Sequence, residues 1–432
     1  MQRGATCRAA GNGAPVIPLD DARLVVLSGV SPARPVECAL GDALGCVAAQ
    51  RVAAAGCVPP FTNSQMDGYA LRAADTAAGD VRLQVVGSVM AGLVGEMTVG
   101  GGEAVRIMTG APLPAGADAV CMVERTSTED GGSAVVVHGP VAPGEYVRRR
   151  GEDIEAGQVV IEEGTVLGPF HLGVLASLGE VAVLVHPRPR VGVLSTGDEL
   201  TLPGRPLRPG AIRDANRPAL LAQTRASGFG AEDLGIVADD EDSVAEALIG
   251  ATTRCDAVVT SGGVSVGDRD YVKVVLDKLT GGQMRWMQVA IKPAKPLAFG
   301  VLPGSGTPVF ALPGNPVSSL VSFELFVRPA LRKMAGHRQL DRPTLDGLAD
   351  EDLRRVADGK LHLARVVAAL GADGRVHVRS SGGQASHQLR AMAAANALAL
   401  LPDGEGVRRG DRVRVMLLDA DGLAPAGKGE GA

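Results

Sequence analysis

This sequence predicts a multidomain protein that combines a central α/β domain, built on a parallel-type sheet, with β-rich domains. Its 432 residues, of which 46% are hydrophobic, are enough for roughly three or four domains. Three short apolar runs after residue 189 each lead into a loop of small residues, and helical patterns alternate with them. Strands that alternate with helices are typical of a parallel sheet, in which ligands bind at the carboxyl ends of the strands.

The composition argues against several classes of protein. A formal net charge of −5 and 3% aromatic residues do not suit a general nucleic-acid surface or an anionic-membrane surface. The six cysteines are scattered without a C-x-x-C pair, so we expect reduced thiols. No apolar run approaches the ~20 residues of a membrane span. We therefore expect a cytoplasmic protein with neither a nucleic-acid nor a membrane partner, in which any anionic ligand is bound locally.

The first 188 residues show two kinds of sequence pattern, one helical and one typical of β-strands. Apolar residues at helical spacing over 15–55 predict two helices, one on each side of Ser31 and Pro32. Alternating apolar runs separated by glycine-rich turns predict a β-rich domain over 56–145. Residues 146–188 contain short strands and one helical piece over 170–178. We assign them with 15–55 to an N-terminal/linker domain, although a separate unit fits the pattern as well.

The α/β domain is predicted over 189–336. Its strands run into the loops of "RVGVLSTGDEL" (190–200), "DAVVTSGGVSVGD" (256–268) and "VFALPGNPVSS" (309–319). Helical patterns cover 216–226, 271–279 and 316–334. Because the strands are parallel, we expect the three loops to lie at one edge of the sheet. Alternating segments over 337–418 predict a small β-barrel or sandwich.

The second of these loops has the composition of an oxyanion site. Gly262 and Gly263 allow neighbouring backbone N–H groups to converge, and Ser261 and Ser265 add hydroxyl donors. The two carboxylates that follow, at 268 and 270, are suited to a Mg²⁺ ion that bridges a phosphate. A glycine-rich turn that ends in a helix cap explains the same residues equally well.

The neighbouring loops also have two interpretations. Asp198 and Glu199 follow a strand end, where they either bind a ligand or cap a turn. Pro316 is suited to the first turn of a helix, whose free N–H groups would point to the presumed ligand edge. Lys292 and Lys295 are each followed by a proline that restricts the backbone. From the residues alone we infer an α/β protein that binds a nucleotide or phosphate ester, with the reaction left open.

Eight segments, in this order, resemble the molybdopterin molybdenumtransferase family of the MoeA type, also seen as the E domain of gephyrin. They are PPFTNSQMDGYAL, RIMTGAPLPAGADAVCMVE, VRRRGEDI, VGVLSTGDEL, IRDANRPAL, TSGGVSVGDRDY, IKPAKP and LPGNPVSS. The resemblance spans residues 16–418. It implies a central three-layer α/β molybdopterin-binding domain, a β-rich domain, an elongated helical/linker domain and a small C-terminal β-barrel.

The resemblance also implies an activity and its partners. Members insert molybdate into adenylylated molybdopterin, with Mg²⁺-dependent release of AMP, to give molybdenum cofactor. They are homodimers, and a molybdopterin adenylyltransferase is the expected partner that supplies the substrate. The alternatives are an ATP-dependent adenylyltransferase that uses the same α/β pocket, and a gephyrin-like scaffold. Tungstate in place of molybdate is a third, because the two oxyanions share charge and shape.

The resemblance assigns roles to residues at matching positions. Those expected to be catalytic are Asp67, Glu199, Asp270, Lys292 and Lys295. Those expected to bind substrate are Thr109, Asp153, Asp240, Ser261, Gly262, Gly263, Ser265, Pro313, Pro316, Arg365 and Ser386. The expected Mg²⁺ ligands are Glu199, Asp268 and Asp270. Two positions depart from the family pattern: Ala294 stands where relatives often have glycine, and Gln288 where a basic residue is frequent.

Overall fold

A computed structural model describes residues 16–92, 97–264, 271–419 and 423. The chain forms two compact units. One comprises the described residues of 37–44 and 48–185, and the other comprises the described residues of 16–36, 45–47 and 186–423. Within the described residues, no helix combines the length and the apolar character that crossing a membrane requires.

The smaller unit is built around a six-stranded sheet. The strands, in spatial order, are Thr126–Glu129, Ala134–Val137, Val81–Val89, Glu103–Ile107, Gly68–Leu71 and Ala119–Met122. All neighbours are antiparallel except Val81–Val89 and Glu103–Ile107, which are parallel. This sheet confirms the predicted β-rich segment. Two short antiparallel pairs accompany it, formed by Asn63–Ser64 with Val147–Arg148 and by Val52–Ala53 with Val159–Ile161. The predicted helical piece is the helix Pro169–Ser177.

The first 55 residues contain one of the two predicted helices. Leu19–Ser28 is helical, and its two acidic residues in the first turn favour the positive end of the helix dipole. The second predicted helix is wrong. The chain there forms the strands Val36–Ala39 and Val47–Ala48 around a short 3₁₀ turn, Leu40–Asp42. Gly41 and Gly45 interrupt this stretch, and their low helix propensity outweighs its apolar spacing. The strands Val36–Ala39, Ala182–His186 and Val47–Ala48 form a small sheet.

The larger unit contains a seven-stranded sheet. Its strands, in spatial order, are Val16–Ile17, Arg285–Val289, Pro296–Val301, Pro308–Leu312, Ala257–Ser261, Arg190–Thr196 and Gly230–Val237. The last four are mutually parallel, as predicted. Pro296–Val301 is antiparallel to both neighbours, so the sheet as a whole is mixed.

Both faces of this sheet are buried, which makes the domain three-layered. Val191 and Val193 pack into one core together with Phe310, whereas Leu194 and Val258 belong to a second core on the opposite face. Alternate residues of a strand point to opposite faces. A strand covered on both sides is therefore apolar at nearly every position, and this explains why the sequence shows continuous apolar runs here.

Helices cover the two faces. They are Asn216–Ala226, Glu241–Thr252, Tyr271–Leu279, Pro316–Ser322 and Arg328–Met334. The last two are joined by a π-helical segment, Phe323–Val327, so that residues 316–334 form one helix, which we call the long helix. Predicted and observed bounds agree for 216–226, 271–279 and 316–334.

Residues 344–417 contain a closed five-stranded β-barrel. Its strands, in order around the barrel, are Leu361–Leu370, Val376–Ser380, Thr344–Ala349, Arg412–Leu417 and Ala397–Leu401, and the last pairs with the first. A short helix, Leu389–Ala393, precedes the strand Ala397–Leu401. Ile291–Lys292 pairs with the barrel strand Leu361–Leu370, which places a predicted site residue beside the barrel. Between the two alternatives left open by the sequence, the structure has the barrel.

Candidate active site

Three strands of the seven-stranded sheet end at the same level. Ser195 is the register partner of Ser261, and Ser261 is the register partner of Leu312 on the next strand. The loops that follow these residues therefore begin side by side, as the sequence predicted for a parallel sheet. Ser195 and Ser261 are both buried, so the accessible part of this edge is formed by the loops themselves.

Asn216 joins two of the loops. Its side-chain Nδ2 donates to the Ser261 hydroxyl at 2.8 Å and to the Gly314 carbonyl at 2.7 Å. Asn216 is the first residue of the helix Asn216–Ala226, so this helix also begins at the strand-end edge. Of the predicted residues on the Gly314 side, Pro313 is buried, and Pro316 is the half-buried first residue of the long helix.

The loop after Ser261 is fixed by its glycines. The Gly262 N–H donates to the Leu312 carbonyl at 3.0 Å, which ties the loop to the neighbouring strand end. Gly263 has φ of +81°, and a Cβ placed there would lie 2.4 Å from Cβ of Val272. Only glycine fits such an approach without displacing the helix. The predicted residues Ser265, Asp268 and Asp270 lie outside the described residues.

A buried ion pair supports the start of the helix at Asn216. Asp214, 2% exposed, accepts hydrogen bonds from the Ser195 hydroxyl at 3.1 Å and from Arg217 Nε at 2.8 Å. Arg217 also pairs with Asp233 on the strand Gly230–Val237. The carboxylate thereby links a strand end to the helix start and holds the edge rigid. Sequence reasoning assigned no role to Asp214, Asn216 or Arg217, although the IRDANRPAL segment contains all three.

Carboxylates accumulate beside these loops. Burial raises the pKa of Asp239, and the negative charges of Asp198, Glu199 and Asp240 raise this pKa further. Sequence reasoning missed Asp239, because nothing in its local pattern distinguishes it from a turn residue. Asp240 accepts from the Ser243 N–H at 2.8 Å and caps the helix Glu241–Thr252, and this backbone hydrogen bond lowers the pKa of Asp240. Its position thus has a structural explanation.

The fit of this edge to Mg²⁺ depends partly on residues beyond the described ones. Among the described residues, no group of three or more His, Cys, Asp or Glu side chains is arranged to hold a metal ion. Glu199 is the one predicted ligand described, and it is exposed. The repulsion that raises the pKa of Asp239 shows a local excess of negative charge. Carboxylate oxygens are the donors that Mg²⁺ prefers. The donor chemistry at this edge therefore fits the ion.

The predicted lysine pair is exposed. Lys292 is the last residue of the strand Ile291–Lys292, and its register partner on the barrel is His362. Lys295 directly precedes the strand Pro296–Val301. Ala294 between them is buried and has φ of +77°. Glycine adopts this left-handed conformation without strain, and the alanine here adopts it with a side chain. Gln288 lies in the strand Arg285–Val289, opposite Pro296.

The barrel contributes a loop to the same unit. Arg365 is 1% exposed, and its Nη2 donates to the carbonyls of Gly383 at 2.8 Å and Ala385 at 3.2 Å. Its guanidinium therefore shapes the loop that carries Ser386. The Ser386 carbonyl accepts from the Val317 N–H at 3.1 Å, which connects this loop directly to the first turn of the long helix.

In the smaller unit, the structure brings two predicted residues together. Asp67 Oδ1 accepts from the Thr109 N–H and from the Thr109 hydroxyl, both at 2.7 Å. The first of these bonds is the main cause of a lowered pKa of Asp67, and the second adds to it. Asp153 is exposed, and its N–H donates to the Val58 carbonyl at 3.0 Å. Asp153 is not hydrogen-bonded to Asp67 or Thr109 among the described contacts.

Comparison with known proteins identifies the family. Residues 17–179 match the model of the MoeA N-terminal region (domain I and II), residues 192–333 that of a probable molybdopterin binding domain, and residues 354–418 that of the MoeA C-terminal region (domain IV). The chain is 38% identical to a molybdopterin molybdenumtransferase of Haemophilus influenzae, over 93% of this chain and 98% of the relative. The chain belongs to the molybdopterin molybdenumtransferase family.

Other members of this family confirm the extent of the likeness. Molybdopterin molybdenumtransferase 2 of Mycobacterium tuberculosis is 38% identical over 88% of this chain and 94% of its own length. A crystal structure of the molybdopterin biosynthesis MoeA protein from Pyrococcus horikoshii superposes with a TM-score of 0.77 at 32% identity, covering 94% of this chain and all of the other. The family assignment therefore holds for the multidomain fold as well as for the sequence.

Proposed function

We propose that this chain is a molybdopterin molybdenumtransferase, which inserts molybdenum into molybdopterin during molybdenum cofactor biosynthesis. The observation that carries this conclusion is the membership of nearly the whole chain in that family. The strand-end loops support it, because Asn216 holds the Ser261 and Gly314 loops together at the edge where α/β proteins bind ligands.

The proposed substrates are adenylylated molybdopterin and molybdate, with AMP released as molybdenum is inserted. Both substrates are anions, so their approach requires positive charge. Lys292 and Lys295 are exposed and are suited to this role, and the N–H groups around Gly262 and Gly263 are suited to a phosphate. Glu199, Asp67 and Thr109 are the further residues that we propose act on the substrates.

We further propose that Mg²⁺ takes part, held by Glu199 with Asp268 and Asp270. The ion would supply the positive charge that stabilises the leaving phosphate. The negative charges of the carboxylates near Asp239 favour a cation at this edge, which supports the proposal. The lysines remain available to the anionic substrates. No protein nucleophile is needed in this scheme, because molybdate is itself the incoming oxyanion.

The proposed assembly is a homodimer in the cytoplasm, supplied with substrate by a molybdopterin adenylyltransferase. The supply follows from the chemistry, since the substrate already carries an adenylyl group. Co-elution of the two enzymes from a sizing column, compared with each enzyme alone, would test for direct contact. Separate elution would leave free diffusion of the substrate as the route.

A set of incubations separates the proposed function from an adenylyltransferase and measures the choice of oxyanion. Purified chain, Mg²⁺ and adenylylated molybdopterin should release AMP when molybdate is added, and Asp270→Ala should abolish this release while leaving the assembly intact. Tungstate in place of molybdate measures the choice of oxyanion. Molybdopterin with Mg-ATP should give no adenylylated product. Consumption of ATP there would identify an adenylyltransferase, and near-normal turnover by the Asp270 variant would remove that residue from the metal site.

A further inference from the structure

A buried carboxylate lies in the middle of the long helix, in the π-helical segment Phe323–Val327. Glu324 is 4% exposed. Its Oε1 accepts from Gln223 Nε2 at 2.7 Å, and its two oxygens accept from Arg342 at 2.9 and 3.1 Å. Arg328, one turn further along the helix, lies 4.0 Å from the same carboxylate. Glu324 therefore joins the helix Asn216–Ala226, the long helix and the segment that follows it.

That segment, residues 337–343, connects the α/β domain to the first barrel strand at Thr344. Its backbone and side chains are held along its length by basic residues. Arg332 Nε donates to the Gln339 carbonyl at 2.8 Å, Arg328 Nη1 donates to the Leu340 carbonyl at 3.3 Å, and Arg23 pairs with Asp341. Arg342 completes the series through Glu324. We call residues 337–343 the connector.

The charges around Glu324 are not balanced locally. Burial and, to a smaller extent, the nearby positive charge of Arg342 lower the pKa of Arg328 to about 10, although Glu324 opposes this shift. Burial likewise lowers the pKa of His337 to about 4, with Arg332 and Arg328 contributing, so this histidine adds no charge near neutral pH. Glu324 is the buried acid that offsets this basic cluster.

Stability alone does not account for such a group. Replacing a buried ion pair by packed apolar side chains is often neutral or stabilising, so a buried pair is weak support for a stabilising role. The π-helical segment adds to this argument, because π turns inside α-helices are frequent at functional sites. All residues from 317 to 331 are buried, which makes the long helix a rigid element through which position can be set.

Two of the three elements joined by Glu324 reach the candidate active site. The helix Asn216–Ala226 begins at Asn216, which holds the two loops. The long helix begins at Pro316, and its Val317 N–H contacts the Ser386 carbonyl of the barrel. At 1.5 Å per residue, Glu324 lies about 12 Å along the helix from Pro316, too far to touch a substrate bound there.

We propose that Glu324 is a positioning residue, which fixes the barrel loop 383–386 against the first turn of the long helix by binding Gln223 and Arg342. The predicted change in KM rests on the proposed function, whereas the predicted change in the position of the loop does not. Without the carboxylate, the connector loses one of its anchors, and the barrel is freed to shift relative to the strand-end loops.

The test compares Glu324→Gln with the wild-type chain in two measurements. Hydrogen exchange at the Val317 amide and over residues 383–389 should become faster, because the Val317 to Ser386 hydrogen bond opens more often. The KM for adenylylated molybdopterin should rise by about tenfold, with a smaller change in kcat, since displacements of roughly 1 Å far from the reacting atoms cost up to about 100-fold. Arg342→Lys, which removes the two-point contact and keeps the charge, should shift both measurements in the same direction.

Asp277→Asn is the matched control. Asp277 accepts from Trp286 Nε1 at 2.8 Å in the same α/β domain, with no contact to the connector. It should lower stability without changing exchange at Val317 or the KM. Unchanged exchange in Glu324→Gln, or an equal change in the control, would overturn the proposal. If Glu324→Gln does not fold, Arg342→Lys decides by the same criteria. A wild-type chain that releases no AMP would refute the proposed function, and the exchange result would still judge the positioning role.

Discussion

At the scale of single residues, the candidate site depends on backbone conformations that its neighbours impose. Gly263 has a left-handed backbone pressed against Val272, and Ala294 has the same conformation with a methyl group that is buried. In the smaller unit, the Asp67 carboxylate is held by two hydrogen bonds from Thr109. The backbone at Gly263 and Ala294 and the carboxylate of Asp67 are therefore each held in one conformation by their neighbours.

Ala294→Val should lower the free energy of unfolding by about 1–3 kcal/mol, because the native alanine already bears the general cost of the left-handed backbone and only the added branched bulk is new. A left-handed backbone costs an L-residue about 1–2 kcal/mol, and a β-branched side chain fits it worst. Extra methyl groups in a packed site add a cost of about 1–3 kcal/mol. Ala294→Gly is the matched variant and should stay within about 1 kcal/mol of wild type, because relief of strain is offset by the loss of a buried methyl group and by a freer unfolded chain. Urea unfolding measures both, and a valine variant as stable as the glycine variant would contradict this account.

Thr109→Val should move the acid limb of the kcat/KM profile to higher pH. The Thr109 N–H and hydroxyl bonds lower the pKa of Asp67 from 3.8, so Asp67 stays ionised to lower pH than an ordinary carboxylate. The lowered pKa also stabilises the folded protein at pH values above the pKa that Asp67 has in the unfolded chain. This contribution to the free energy of unfolding is lost as the pH falls through the pKa of Asp67 in the folded protein. Valine keeps the backbone bond and removes the hydroxyl bond, so the pKa should rise part of the way.

Thr126→Val is the control for this pH experiment. The Thr126 hydroxyl donates to the Val123 carbonyl at 2.8 Å in the same unit and touches no carboxylate. Its acid limb should coincide with that of the wild type. An acid limb that stays in place in Thr109→Val would show that ionisation of Asp67 does not limit the reaction on the acid side.

At the scale of elements, buried ion pairs next to the strand-end loops hold the adjoining helix to the sheet. The sequence pattern does not reveal these pairs. Asp214 and Arg217 form a buried pair at the start of the helix Asn216–Ala226, and Arg217 reaches Asp233 on the edge strand. Helix and sheet are thereby locked where Asn216 contacts two loops. The long helix plays a comparable part on the other side, since it begins at the third loop and carries Glu324 in its middle.

Asp214→Ala should lower the free energy of unfolding by about 3–5 kcal/mol. Removing Asp214 leaves the buried Arg217 charge with only the half-exposed Asp233 as its partner, and the side chains of Asp214 and Arg217 are only 1% and 5% exposed. Asp233→Ala provides the comparison, because Asp233 is half exposed and such pairs contribute up to about 1 kcal/mol. Chemical denaturation of both variants measures the difference, and equal losses would refute the distinction between the two carboxylates.

At the scale of the whole molecule, the predicted site residues fall in both compact units. Asp67, Thr109 and Asp153 belong to the smaller unit, and the others that the structure describes belong to the larger one. The proposed homodimer offers a way for the two sets to act together, with Asp67 of one protomer serving the α/β domain of its partner.

Mixing Asp67→Asn with Glu199→Gln should restore part of the activity that each variant lacks. A hybrid dimer would contain one site with both native residues, so up to about a quarter of wild-type turnover is expected after random subunit exchange. Subunit exchange is followed with two affinity tags, and each variant mixed with itself is the control. Exchange without recovery of AMP release would place both residues in the same protomer.

The family and most of the element order of the α/β domain follow from the sequence, except for the helix Glu241–Thr252, which local periodicity missed. Continuous apolar runs followed by small-residue loops indicated buried parallel strands, because a strand covered on both faces is apolar throughout, and the helices at 216–226, 271–279 and 316–334 followed from local periodicity. It failed at 40–47, where glycines outweighed apolar spacing. The division into four domains and the roles of the site residues stay predictions.

Contacts between polar groups that are far apart along the chain depend on packing. Asn216 and Gly314 are separated by 98 positions and Gln223 and Glu324 by 101, and no local pattern marks such pairs. Packing likewise determines that Arg365 is buried against the loop 383–386, that Asp240 caps a helix and that the C-terminal strands close into a barrel. The physical reason is that hydrogen bonds and ion pairs depend on distances set by packing, whereas periodicity reports only which face of an element is buried.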